Sequence, residues 1–137
     1  MNFELLDHEA DIGFRVRADT PEALFAGCAG ALVAMILEVE AIRPMERISL
    51  MATGSDYESL MVNWLNEVLY WVDGRKFAFC TFTVTHLDPA RIECVGAGEP
   101  QDESRHAANR IVKAVTYHQL KVEKAAEGWL AEVFVDV

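Results

Sequence analysis

Apolar positions recur along this chain with two periods, and the switches between them mark out its elements. From residue 12 to 18, Ile12, Phe14, Val16 and Ala18 alternate with Gly13, Arg15 and Arg17, the pattern of a strand with one wet face. Residues 3–6 read as its pairing partner. Thr20 and Pro21 then announce a helix, Thr20 as the cap and Pro21 in the first turn, where a missing N–H does no harm. Leu24, Phe25, Cys28, Ala31, Leu32, Met35 and Ile36 follow at helical spacing. A short strand is expected at 47–52, and Ser55 with Glu58 forms a capping box for a second helix. That helix carries Leu60, Met61, Trp64, Leu65, Val68, Leu69 and Val72 on one stripe and stops at Asp73-Gly74.

The second half of the chain returns to the strand period. Residues 76–87 and 91–95 read as a hairpin around Asp88-Pro89. A one-residue slip in phase between Phe77/Phe79 and Phe82/Val84 predicts a bulge. Gly96-Ala97-Gly98-Glu99-Pro100 is expected to break the pattern, and 102–110 fits either a loop or a helical turn. Residues 111–122 and 129–137 form a last hairpin, turning near Ala126-Glu127-Gly128. Strands outnumber helices and are mostly hairpin-connected. The fold class that follows is α+β, a mainly antiparallel sheet with two helices packed on it, in one domain spanning 1–137.

Composition supports this picture and narrows the function. With 137 residues, 52% of them apolar, the chain can bury roughly two thirds of its unfolded surface in one core. No apolar run reaches the ~18–20 residues that span a bilayer, and Met1-Asn2-Phe3-Glu4 lacks the basic start of a signal peptide. A cytoplasmic protein with no membrane partner is expected. Twenty-two acidic against twelve basic residues give a net charge of −10. The cations are scattered singly, which disfavours direct nucleic-acid binding, since that relies on clustered Lys and Arg displacing counterions. A basic protein partner or a bound cation suits the charge better. Cys28, Cys80 and Cys94 show no C-x-x-C spacing and read as reduced thiols.

The candidate chemistry lies at the two ends of the chain. Asp7-His8-Glu9-Ala10-Asp11 sits beside the first strand pair, and Asp136-Val137 closes the last strand. A carboxylate on a strand end is a good ligand for a hard cation, and a terminal carboxylate adds another. If these strands pair, the chain's extremes build one acidic site. From the residues alone, Asp11 reads first as a turn residue and Asp136 as a solvated chain end. His8 reads as a partner orienting the loop. Lys113 and Tyr117 are expected on one strand face and His118 on the other, where His118 could serve as a base. Trp64 belongs to the core, and Tyr70 and Trp71 lie toward its margin as packing residues. No P-loop, G-x-S-x-G elbow or G-x-G-x-x-G is present.

Taken together these segments resemble the archease family. Asp7-His8-Glu9-Ala10-Asp11-Ile12-Gly13 is similar to its D-H-(T/S)-A-D-(I/V)-G signature, and Asn63-Trp64-Leu65-Asn66-Glu67-Val68-Leu69-Tyr70 to its W-L-N-E-L-L-Y helix. Gly98-Glu99 with Asp102 and His106, Val112-Lys113-Ala114-Val115-Thr116-Tyr117-His118 and Phe134-Val135-Asp136-Val137 follow in order. The resemblance implies an accessory protein, not a stand-alone enzyme. Its partner would be an RtcB-type RNA ligase, whose guanylylation and multiple turnover it promotes in tRNA splicing and RNA repair. It also implies a divalent cation (calcium, magnesium or manganese) on Asp11, Asp136 and Val137, with His8, Glu9, Lys113 and His118 nearby. Two departures stand out. Glu9 replaces a small hydroxyl residue, and Ile111 stands where many members carry Glu, so the site is expected to be one oxygen short unless Glu9 supplies it. Two rival readings use the same residues. One is a metal-dependent hydrolase with His118 or His8 as base. The other is a chaperone-like module binding through the second helix and its aromatics.

Overall fold

A computed structural model describes residues 2–8 and 11–137; Glu9 lies outside the described residues, as do the side chains of Asp7, His8 and Asp11. In chain order the elements are β1 (Glu4–His8), β2 (Asp11–Ala18), α1 (Pro21–Ile36), β3 (Glu46–Thr53), α2 (Tyr57–Leu69), β4 (Phe77–Asp88), β5 (Arg91–Pro100), β6 (Ala114–Ala125) and β7 (Gly128–Asp136). The α+β class with two helices and antiparallel pairing is as the periodicities predict. The strands divide into two sheets, ordered β1-β2-β7-β6 and β3-β5-β4.

Local chemistry explains most element boundaries. Thr20 caps α1, its Oγ1 accepting from Ala23 N–H at 3.1 Å, with Pro21 in the first turn. The cap of α2 is not the expected one. Asp56, not Ser55, accepts from Ser59 N–H at 2.8 Å, and Ser59 Oγ accepts from Asp56 N–H, so Ser59 takes the reciprocal place assigned to Glu58. A one-residue shift lets the ionised carboxylate face the positive end of the helix, which a hydroxyl does less well. The helix ends in a single π turn, Tyr70–Gly74.

The predicted break at Gly96–Pro100 is not there; β5 runs unbroken to Pro100. A Cβ at Gly98 would stand 1.9 Å from the Ala78 carbonyl oxygen, and one at Gly96 would meet the Phe79 ring at 2.6 Å. Both glycines serve close approach between strands, not a turn. The bulge foreseen in β4 is present, between Phe79 and Thr81, with a second slip between Val84 and His86. Strand β6 starts at Ala114, three residues later than expected, and slips against β7 between Thr116 and Lys121, where Gln119 adopts a φ of 51°. That slip cancels the simple alternation placing Lys113 and Tyr117 on one strand face, because Lys113 precedes the strand and Tyr117 lies inside the slip.

The core is shared by both helices and both sheets. Phe14, Phe25, Trp64, Phe79 and Ile92 are among its fully buried members, and Trp64 Nε1 donates to the Phe25 carbonyl at 3.0 Å. Helix α2 closes the open edge of β6. The Asn66 amide donates to the Val115 carbonyl at 3.2 Å, and its Oδ1 accepts from Val115 N–H at 3.1 Å, so a side chain stands in for a neighbouring strand. Asn63 similarly donates to the Thr53 carbonyl of β3 at 2.7 Å. As expected, Trp71 packs, its ring edge-on to Phe77 and beneath the Arg75 guanidinium at 4.6 Å. Tyr70, by contrast, is 52% exposed.

Candidate functional site

The four-stranded sheet brings the chain's two ends together. His8 pairs with Asp11 across the β1–β2 hairpin, Ile12 pairs with Val135, and Asp136 pairs with Ala114. The backbones of His8, Asp11, Asp136 and Ala114 therefore line one end of the sheet on four neighbouring strands. Lys113 N–H donates to the Asp136 carbonyl at 2.7 Å and ties the approach to β6 to the same end. Asp136 and Val137 are exposed. Along β7, Ala131, Val133 and Val135 face the core, leaving Leu130, Glu132, Phe134 and Asp136 on the other face.

That outer face is ordered by packing and charge. Gly13, the register partner of Phe134, leaves room for its ring, since a Cβ there would lie 2.8 Å from it. The Phe134 ring meets the His118 ring edge-on, centroids 6.3 Å apart. His118 is brought there by the slip in β6. Its N–H donates to Thr116 Oγ1 at 3.3 Å, and that hydroxyl donates to the Phe134 carbonyl at 3.1 Å. Bulges often serve to re-aim a side chain beside a site. One pair further along, Arg15 bridges Glu132 at 2.7 Å and Glu4 at 3.2 Å. Hydrogen bonding to Glu132, more than any other influence, raises the Arg15 pKa, so this cation is fully committed.

A second carboxylate centre is buried where β5 ends. Glu99 accepts hydrogen bonds from the two terminal guanidinium nitrogens of Arg105 at 2.8 and 3.0 Å, from Arg43 N–H at 2.9 Å and from His106 Nε2 at 2.9 Å. His106 Nδ1 accepts from Asp102 N–H at 2.9 Å, so the ring is neutral and its one proton sits on Nε2, facing Glu99. The Arg105 hydrogen bonds, before any other influence, hold the Glu99 carboxyl far below the usual carboxylate range. Residues 99–106 are thereby fastened to the loop after α1. The sequence alone noted Glu99, Asp102 and His106 only through the resemblance, because the donors are drawn from separate segments.

Several groups cannot serve as reactive centres. Burial alone pushes the Cys28 thiol up, and Cys94 is raised to about 12, mainly by burial. All three cysteines are free. Among the described residues no group of three or more His, Cys, Asp and Glu side chains is gathered as a ready metal cage. No helix among them is long and apolar enough to cross a membrane.

This arrangement, a pair of antiparallel sheets whose β2 and β7 register the two chain ends side by side, has known relatives. Residues 3–137 match the model of the Archease protein family (MTH1598/TM1083). The chain is 39% identical to the protein archease of Methanopyrus kandleri, covering 100% of both chains. It is 36% identical to that of Pyrococcus furiosus, covering 98% of each. The solution structure of Methanobacterium thermoautotrophicum protein 1598 superposes with a TM-score of 0.82 at 26% identity, covering 98% of each chain. The chain belongs to the archease family.

Proposed function

We propose that this chain is the accessory protein of an RtcB-type RNA ligase. In this reading the acidic end of the β1-β2-β7-β6 sheet promotes guanylylation of the ligase and its repeated turnover in tRNA splicing and RNA repair. Family membership supports an accessory role. The observation that carries the reading further is the register: Ile12 against Val135, with Asp11 and Asp136 each the next residue outward. Two acidic segments more than a hundred residues apart in sequence thereby meet on adjacent strands.

The donor set at this end suits a divalent cation. Asp136 and Val137 are exposed, and Asp11 begins the neighbouring strand. All three offer oxygen only, which favours calcium, magnesium or manganese over softer metals. When bound, such an ion supplies positive charge to phosphate oxygens. The protein's own contribution is positioning. Pairing with Ala114 of β6 fixes the Asp136 backbone, and Lys113 N–H occupies its carbonyl. The Asp136 side chain and the main-chain oxygen of Val137 are left as the donors.

The direct experiment measures guanylylation of a purified RtcB-type ligase with GTP, with and without this protein. Stimulation by the wild type and its loss in a folded Asp136→Ala variant are expected. Undiminished stimulation by the variant sinks the role of the acidic end. Calorimetric titration with calcium and with manganese tests ion binding independently, and the same substitution should abolish the heat of binding.

A further inference from the structure

Among the described residues, eight large apolar side chains are notably exposed, and four of them lie within a helical turn or a few residues of the backbone contacts at the start of β6. Ile111 (74% exposed) lies two residues before Lys113, whose N–H holds the Asp136 carbonyl. Tyr117 (58%) follows Thr116, the register partner of Phe134. Val137 (40%) directly follows Asp136. Tyr70 (52%) stands one helical turn beyond Asn66, the residue that grips Val115 of β6. Tyr70 also lines one end of an open depression of about 480 Å³ between α2 and β3, with Met51 and Asn63 in its walls. Single exposed apolar residues need no explanation, but a cluster of them commonly marks an interaction surface.

We infer that Tyr70, Ile111, Tyr117 and Val137 form an apolar collar around the acidic end and are the docking surface for a protein partner. The partner presents a cationic cleft rimmed by apolar residues. This rests on the proposed role of the acidic end and adds the surface that delivers it. The choice of occupant follows from charge. The chain carries −10, and Ile111 and Val137 lie within a few residues of the backbone contacts that hold Asp136. A second copy of the chain would set carboxylates against carboxylates, and a nucleic acid would set them against phosphates. A basic cleft on a protein is attracted, and complementary fields also speed its encounter. Tyrosines are common anchors of such interfaces, where a central apolar contact excludes water from the polar groups it surrounds.

The test is a titration of ligase guanylylation with wild type and with a Tyr70→Ser, Ile111→Ser, Tyr117→Ser triple variant whose melting temperature matches the wild type. The collar predicts that the half-maximal concentration rises about tenfold or more, as for loss of interface anchors, while the plateau is unchanged. Asp136→Ala should instead lower the plateau. If the wild type stimulates and the triple variant does so at the same concentration, the collar is wrong and the role of the acidic end survives. If the wild type fails to stimulate, the functional reading falls with it. Sedimentation of the protein alone supplies a further check. A wild-type dimer that the triple substitution dissociates would assign the collar to self-association and overturn the inference.

Discussion

The Glu99 centre and the acidic end of the four-stranded sheet are both built from carboxylates, yet they differ in nearly every physical respect. Glu99 is 3% exposed, and its two oxygens are consumed by Arg105, Arg43 and His106. Asp136 and Val137 stand exposed at a strand end, with Asp136 held by backbone pairing. A buried carboxylate ringed by fixed donors is a fastening, because moving any partner leaves a charge unpaired. An exposed carboxylate on a rigid strand costs little to maintain and remains available to a ligand. The contrast shows that a carboxylate's function is set less by its identity than by how completely the fold has already satisfied it.

Substitutions at the two places should separate stability from function, beginning with the largest expected change in stability. Glu99→Ala strands the Arg105 guanidinium and frees residues 99–106, so the melting temperature should fall by more than ~10 °C. A shift of only a degree or two, read by circular dichroism, would show that the centre is no fastening. Acid should act at the same place. The Glu99 carboxyl titrates below its unfolded value, so its contribution is complete above about pH 4.3 and is lost as pH falls toward the folded pKa. Stability should therefore decline below about pH 4, and Glu99→Gln should flatten that limb of the curve. An equally steep decline in the variant would assign the acid sensitivity elsewhere.

The next effect tests the edge closure of β6. Asn66→Ala leaves both backbone groups of Val115 without their partner and should cost about 1–3 kcal/mol in urea denaturation. Removing the α1 cap by Thr20→Ala should cost about 1 kcal/mol. At the bottom of the scale, Asp136→Ala should change stability by no more than about 0.5 kcal/mol, since the residue is exposed. Under the proposed function, the same substitution should nonetheless remove stimulation of the ligase. A large loss of stability there would erase the distinction between fastening and available carboxylate.

Particular residues show how far the sequence reaches. Thr20 and Pro21 located the start of α1, and the strand alternation of 12–18 put Phe14 and Val16 in the core, because both signals act within a few residues. The cap of α2 was misplaced by one residue, since Ser55, Asp56, Glu58 and Ser59 offer competing local arrangements of similar energy. Gly96 and Gly98 misled for a different reason. Glycine reads as a turn, and only the proximity of Phe79 and Ala78 on the neighbouring strand shows that close approach is what requires it.

The candidate site divides along the same line. Asp11 and Asp136 are legible as carboxylates beside strand ends, and only the resemblance implies their joint use with Val137. Their meeting depends on the register of β2 with β7, a long-range pairing that no local pattern encodes. His118 was visible as a residue but not as a neighbour of Phe134, because a slip between Thr116 and Lys121 decides where it sits. The donors around Glu99 were equally hidden.

By itself, then, the sequence determined the periodic elements, the acidic character, the reduced cysteines and the identity of the residues worth watching. All of these follow from side-chain chemistry and from interactions within a turn or two. The tertiary structure alone decided the division into two sheets, the convergence of the chain ends, the fastening at Glu99 and the closure of the β6 edge by Asn66. Each of those depends on which distant segments share a hydrogen bond or a packed face, and that is settled only when the whole core closes.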